Sequence, residues 1–160
     1  MSTRMKIAYD SIRSQCTLLL LAGLDELGGT GTWRELLEHI AARNYFNLEA
    51  EDNLPIPTAL EPVPRWELLM GLARATSAEG GCIAETEDGQ WQLTGDGKRF
   101  YTRAAAQFRD GIFGAHRCFL WTEEFKKRLV PAYARHPEER SRPAGLYHDI
   151  LRQLTVLTTA

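Results

Sequence analysis

The chain has 160 residues, 44% of them hydrophobic, and a formal net charge of −2. This length suits one globular domain with a small appendage, and the charge gives no strong field toward nucleic acid. Three widely spaced cysteines exclude a disulfide framework and a zinc signature, and His116-Ala-Cys118 lacks further nearby ligands. The apolar run at 16–24 is too short for a bilayer, and polar residues interrupt any signal-peptide core. We therefore expect a cytoplasmic protein without metal or cofactor.

The first two predicted elements are helices joined by glycines. Apolar residues recur at three- and four-residue steps from Ser11 to Leu27, which predicts an amphipathic helix that ends at Gly28-Gly29. A second helix follows, because Thr32 and Glu35 have the spacing of a capping box. Asn44 closes this helix. Its predicted buried face consists of Trp33, Leu36, Leu37, Ile40 and Ala41.

A proline-containing segment separates the second helix from the third. Four prolines between Phe46 and Pro64 remove backbone donors, so we expect a long loop with irregular turns. Pro64 suits the first turn of a third helix that runs to Glu79 and ends at Gly80-Gly81. The predicted inward stripe of this helix is Trp66, Leu69, Met70 and Ala73.

A β-hairpin is predicted after the third helix. Asp88-Gly89 lies between two short segments of strand character, at 82–87 and 90–94, and both turn residues tolerate positive φ. Trp91 and Leu93 face the core in this prediction. Thr94 then begins a fourth helix through Phe108.

The last third of the chain is predicted to be helical. Segments Phe119–Val130 and Leu146–Leu157 have helical spacing, and a polar segment at 137–143 separates them. The fold class is therefore mainly α with a small β-hairpin. The element order is that of a winged helix-turn-helix over residues 10–102, followed by a helical extension over 103–160. The extension either packs on the first domain or forms a homodimer.

Three segments resemble Mrr-type winged-helix domains, the N-terminal DNA-binding domains of modification-dependent restriction proteins. They are Gly31-Thr32-Trp33-Arg34-Glu35-Leu36-Leu37, Arg65-Trp66 with Leu72-Ala73, and Gly89-Gln90-Trp91-Gln92-Leu93-Thr94 with Gly97. The resemblance covers about residues 15–105 and implies binding of double-stranded DNA through the third helix. The resemblance does not imply nuclease activity, because in that family this activity belongs to a separate C-terminal domain.

Six residues are the candidate DNA contacts. Arg65 and Arg74 are expected on the outward face of the third helix, where a guanidinium group can bind guanine or phosphate. Thr32 and Arg34 are expected at a helix N-terminus that can bind a phosphate oxygen. Gln90 and Gln92 are the candidate contacts from the hairpin. In this hypothesis Arg74→Ala weakens duplex binding without unfolding the protein.

Two features weigh against DNA. Glu79-Gly80-Gly81-Cys82-Ile83 replaces the apolar residues usual between helix and hairpin, and the hairpin carries Glu85, Glu87 and Asp88. An acidic hairpin suits a protein partner in a larger complex, which is the alternative function. The last 60 residues have 10 Lys or Arg against 6 Asp or Glu and supply candidate phosphate contacts. These are Arg117, Lys126, Lys127, Arg128, Arg135, Arg140 and Arg142.

An enzymatic function is the third alternative. Asp110 followed by Glu124-Phe125-Lys126 has the spacing of a Mg²⁺-dependent nuclease site. In such sites the Glu-x-Lys lies on a strand, whereas residues 122–127 have helical character with Thr122 as the cap. The sequence therefore favours a non-catalytic DNA-binding protein, either a regulator or the DNA-recognising component of a defence or mobile-element system.

Overall fold

The first helix lies at the centre of the protein, and the other elements surround it. In the computed structural model, which describes residues 9–58, 61–109 and 120–135, helix α1 spans Tyr9–Glu26. Every residue from Gln15 to Leu24 is buried, so the predicted amphipathic pattern is wrong over this stretch. The reason is that α1 packs against three further helices, which are α2 (Trp33–Ala42), α3 (Arg65–Glu79) and α4 (Gly95–Arg109).

The predicted end of α1 and the predicted start and end of α2 are confirmed by their capping geometry, whereas α1 starts at Tyr9 rather than at the predicted Ser11. Gly28 and Gly29 follow α1 with positive φ, which a residue with a side chain rarely adopts. Thr32 Oγ1 accepts a hydrogen bond from the Glu35 amide at 3.1 Å, and a Glu35 carboxylate oxygen accepts from the Thr32 amide at 3.3 Å. Asn44 has a φ of 57° and follows the end of α2.

The segment before α3 contains short regular elements. A 3₁₀ helix spans Ala50–Asn53, and strand β2 (Pro55–Ile56) pairs antiparallel with β3 (Val63–Pro64). The Leu54 carbonyl accepts a hydrogen bond from the Arg65 amide at 3.0 Å. The predicted loop with irregular turns is therefore folded against the N-terminus of α3.

The hairpin belongs to a three-stranded antiparallel sheet in which strand β5 (Trp91–Leu93) lies between β1 (Thr30–Gly31) and β4 (Ile83–Glu85). Its predicted strands are β4 and β5, and β5 also pairs with β1, which was not predicted. The turn differs from the expected one, because Gly89 has positive φ and Asp88 does not. The Gly89 amide donates to the Thr86 carbonyl, and the Thr86 amide donates to the Gln90 carbonyl. This pattern is a three-residue loop closed by a glycine.

The step from β5 into α4 depends on Thr94 and Gly97. Thr94 Oγ1 accepts a hydrogen bond from the Gly97 amide at 3.0 Å and donates one to the Gly81 carbonyl at 2.6 Å. It thereby caps α4 and fastens it to the end of α3. A Cβ atom at Gly97 would lie 2.1 Å from the Cys82 carbonyl oxygen, so the helix approaches the backbone at the start of β4 very closely.

The last described helix, α5 (Glu123–Arg135), packs on the elements before it. Thr122 caps it as predicted, since its hydroxyl oxygen accepts from the Phe125 amide. Phe46 forms a β-bridge with Trp121, and the Trp121 indole donates to the buried Gln15 carbonyl at 3.2 Å. The segment that leads into α5 therefore belongs to the same core as α1.

The described residues are mostly helical, with 60% in helices, and they contain a small antiparallel sheet. Helix α4 continues without a break across the proposed domain boundary at residues 102 and 103. None of the described helices combines the length and apolar character needed to cross a bilayer. The predicted helix at Leu146–Leu157 lies outside the described residues.

The contact at Gly97 gives a stability prediction. We expect Gly97→Ala to lower the free energy of unfolding by about 3 kcal/mol, because the new methyl group overlaps backbone that cannot move freely. Gly71→Ala is the matched helical control, since open space surrounds its Cβ position, and it should raise stability by about 0.5–1 kcal/mol. Urea denaturation measures both. Equal stability of the two variants would contradict the close approach.

Candidate functional site

Helix α3 has a buried face and an exposed face. The predicted inward residues Trp66, Leu69, Met70 and Ala73 are all buried, which confirms that face. Ser77 is also buried, because it continues the same stripe one turn after Ala73.

The exposed face of α3 is apolar along most of its length. Leu68 is 37% exposed and Leu72 is 41% exposed, and Ala75 lies on the same stripe one turn further on. Gly71 lies beside them, and nothing is within 4 Å of its Cβ position. We call Leu68, Leu72 and Ala75 the leucine stripe. This stripe was not predicted from the sequence, although its steps of four and three residues are a helical spacing.

Arg74 lies between two tryptophan rings rather than in solvent. Its guanidinium carbon is 4.4 Å from the centre of the Trp33 ring on α2 and 5.4 Å from that of Trp91 on β5. Both rings are partly buried against the core. A guanidinium plane stacked on aromatic faces is a stabilising contact. Arg74 therefore joins α2, α3 and β5, which is a structural role that the sequence analysis did not predict.

The other two candidate arginines form ion pairs within the protein. Arg65 lies 3.7 Å from a Glu51 carboxylate oxygen and is 22% exposed. Arg34 lies 3.4 Å from a Glu67 oxygen and is 62% exposed. The structure thus brings Arg34 close to α3, and its guanidinium group remains accessible.

The remaining candidate contacts lie near the sheet and at the start of α2. The Thr32 hydroxyl oxygen and the adjacent helix terminus are engaged by Glu35. Gln90 accepts a hydrogen bond from the Thr30 hydroxyl at 3.3 Å, whereas Gln92 is exposed in the central strand. The acidic residues of the hairpin, Glu85, Glu87 and Asp88, are all exposed.

A second cluster of ionisable side chains lies where α1, α2 and α5 meet. Glu26 accepts hydrogen bonds from His39 at 2.8 Å and from the Tyr45 hydroxyl, and it lies 3.6 Å from Arg128. Burial raises the pKa of the Glu26 carboxyl, but these hydrogen bonds and the positive charge outweigh burial and hold its pKa below the usual value. Burial and the adjacent carboxylate raise the pKa of Tyr45. Phe125 packs on the same tyrosine, so the cluster fastens α5 to the core.

Two residues of the nuclease alternative, Glu124 and Lys126, are engaged in local pairs. Glu124 and Lys126 lie on α5, where Glu124 pairs with Arg128 and Lys126 pairs with Glu123, each at 3.1 Å. Asp110, His116 and Cys118 lie outside the described residues.

Burial, followed by the charge of Asp96, raises the pKa of Cys82 to about 11, so this thiol is protonated at neutral pH. Over the described ranges, no group of three or more His, Cys, Asp or Glu side chains is arranged to hold a metal ion.

Comparisons with known proteins give no match. No family model matches the chain, and neither the curated proteins nor the solved structures contain a significant relative.

The position of Arg74 predicts a stability effect. We expect Arg74→Ala to lower the free energy of unfolding by about 1–2 kcal/mol, because it removes the two ring contacts and the packed side-chain stem. Arg74→Lys should keep part of this stability, since an ammonium group retains the charge but not the planar stacking. Urea denaturation compares these variants.

Arg34→Ala is the control for Arg74→Ala. It removes an exposed arginine and its ion pair, so the loss should stay within about 0.5 kcal/mol. Equal losses for Arg34→Ala and Arg74→Ala would contradict the structural role of the tryptophan contacts.

Proposed function

We propose that the chain is a non-catalytic winged-helix module that binds another protein through the leucine stripe of α3. The element order supports the winged-helix assignment: helix, short strand, helix, helix and hairpin, with the short strand paired to the hairpin. In that arrangement α3 is the helix available to an outside molecule. Binding to a protein partner is the function that the acidic hairpin indicated as the alternative to DNA binding.

The main support for this proposal is that the exposed face of α3 is apolar. A helix that reads a DNA groove needs polar or cationic side chains toward the bases and phosphates. Here two leucines occupy the exposed face, while Arg65 and Arg74 are engaged within the protein. Apolar side chains on a helix face suit a protein groove or a second helix. The acidic hairpin beside α3 would also repel a phosphate backbone.

Double-stranded DNA is the second candidate partner, and Arg34 is the observation that favours it. Its guanidinium group is accessible at the start of α2 and lies next to α3. A phosphate could replace Glu67 as its partner. The resemblance to Mrr-type domains and a role in a defence system belong to this second proposal.

Leu72→Asp tests the two proposals. We expect the tagged wild-type chain to retain a protein partner from its source cells and Leu72→Asp to lose most of it, because a carboxylate cannot be buried in an apolar interface. Leu48→Asp is the matched control, since Leu48 has 40% exposure and lies outside α3. Quantitative mass spectrometry of the retained proteins measures the difference.

A duplex titration completes this test. The protein-binding proposal predicts no duplex binding by fluorescence anisotropy at low salt. Tight binding that weakens steeply with salt and is lost in Arg34→Ala would instead support DNA. A partner retained equally by Leu72→Asp and the wild type would contradict the role of the leucine stripe.

A further inference from the structure

We propose that the partner segment is a basic amphipathic helix, whose apolar side chains cover the leucine stripe and whose Lys or Arg side chains meet the carboxylates around it. This inference rests on the proposed protein-binding function and adds the chemistry of the partner. It is carried by the distribution of charge around α3.

Glu79 continues the leucine stripe at the end of α3. It is exposed and lies one turn after Ala75, in a last turn that contains no Lys, Arg or His. A carboxylate near the negative end of the helix dipole is unfavourable in the free protein. A cation supplied by a partner would offset this unfavourable interaction between the Glu79 carboxylate and the helix dipole.

The hairpin carries further carboxylates, and its strand β4 packs against α3. Glu85 is paired with Trp91 across the β4–β5 ladder, and directly opposed residues point to the same face of a sheet. Trp91 in turn contacts Arg74, so Glu85 lies on the sheet face that meets the flank of α3. Glu87 and Asp88 follow in the exposed turn.

Among the described residues, the charges at the end of α3 and on the hairpin that lack an ion-pair partner are negative. Arg34, Arg65 and Arg74 are each engaged by a carboxylate or by tryptophan rings. Within the described ranges, no cation lies at ion-pair distance from the four carboxylates of this acidic rim. The acidic rim consists of Glu79, Glu85, Glu87 and Asp88.

The shape of the stripe favours a helix as the occupant. Gly71 and Ala75 are small and lie one turn apart, one before and one after Leu72 along the helix. Small residues let a second helix approach closely, while Leu68 and Leu72 supply apolar anchors. An apolar centre with a charged rim is the usual anatomy of a protein interface.

A displayed library of amphipathic helices tests this inference. All members carry the same apolar spacing, and their remaining positions are randomised among Lys, Arg, Glu, Asp, Gln and Ser. Selection against the full chain should enrich Lys and Arg at the flanks of the apolar stripe. The selected peptides should bind Leu48→Asp like the wild type and should fail to bind Leu72→Asp.

Charge reversal supplies the second measurement. The double variant Glu85→Lys with Glu87→Lys should weaken the selected peptides about tenfold, and the difference should shrink as salt is raised. The matched double variant Glu38→Lys with Glu123→Lys changes two exposed carboxylates outside α3 and the hairpin, so it should leave affinity unchanged. Circular dichroism verifies that each variant is folded.

The outcomes separate the inference from the proposed function. Peptides that depend on Leu72 but are neutral or acidic would overturn the basic partner and leave the protein-binding function standing. Peptides that bind Leu72→Asp unchanged, or a selection without binders, would overturn both.

Discussion

The structure depends on the burial of residues 15–24 of α1 on every side. Residues Gln15 to Leu24 have no solvent-facing side, so α2, α3 and α4 must each turn an apolar face toward the same helix. Gln15 extends this arrangement, because its side-chain oxygen accepts the Leu120 amide at 3.0 Å and brings in the segment before α5. With its inner face committed to α1, α3 can present only the opposite side to another molecule. The leucine stripe is therefore a consequence of how the core is built.

Local signals in the sequence predicted most of the fold. The features that the sequence could not predict depend on contacts between residues far apart in the chain. Three predicted features are local patterns with a direct physical cause. They are the capping box at Thr32, the glycines after α1 and α3, and the inward face of α3. Strand β1 was missed because two residues carry no periodicity, and its pairing depends on β5. The stacking of Arg74 depends on tryptophans from two other elements, so spacing within α3 gave no indication of it.

Together, the positions of Arg34, Arg65 and Arg74 favour a protein partner over DNA. Arg65 and Arg74 were assigned to DNA because they were expected on an outward face, and both have partners within the protein. These partners already contact the guanidinium groups that a phosphate would otherwise bind. Arg34 alone among these three arginines is largely exposed. What remains on the outer face is apolar at its centre and acidic at its end and along the hairpin. This pattern is why a protein partner stands first and DNA second.

Photo-crosslinking in the source cells tests the central claim most directly. A benzophenone amino acid at position 72 reports which molecule lies against the exposed face of α3, and the same probe at position 48 reports on an equally exposed leucine elsewhere. The account predicts a discrete protein adduct at position 72 that is absent at position 48. A nucleic-acid adduct at position 72, or the same adducts at both positions, would contradict it.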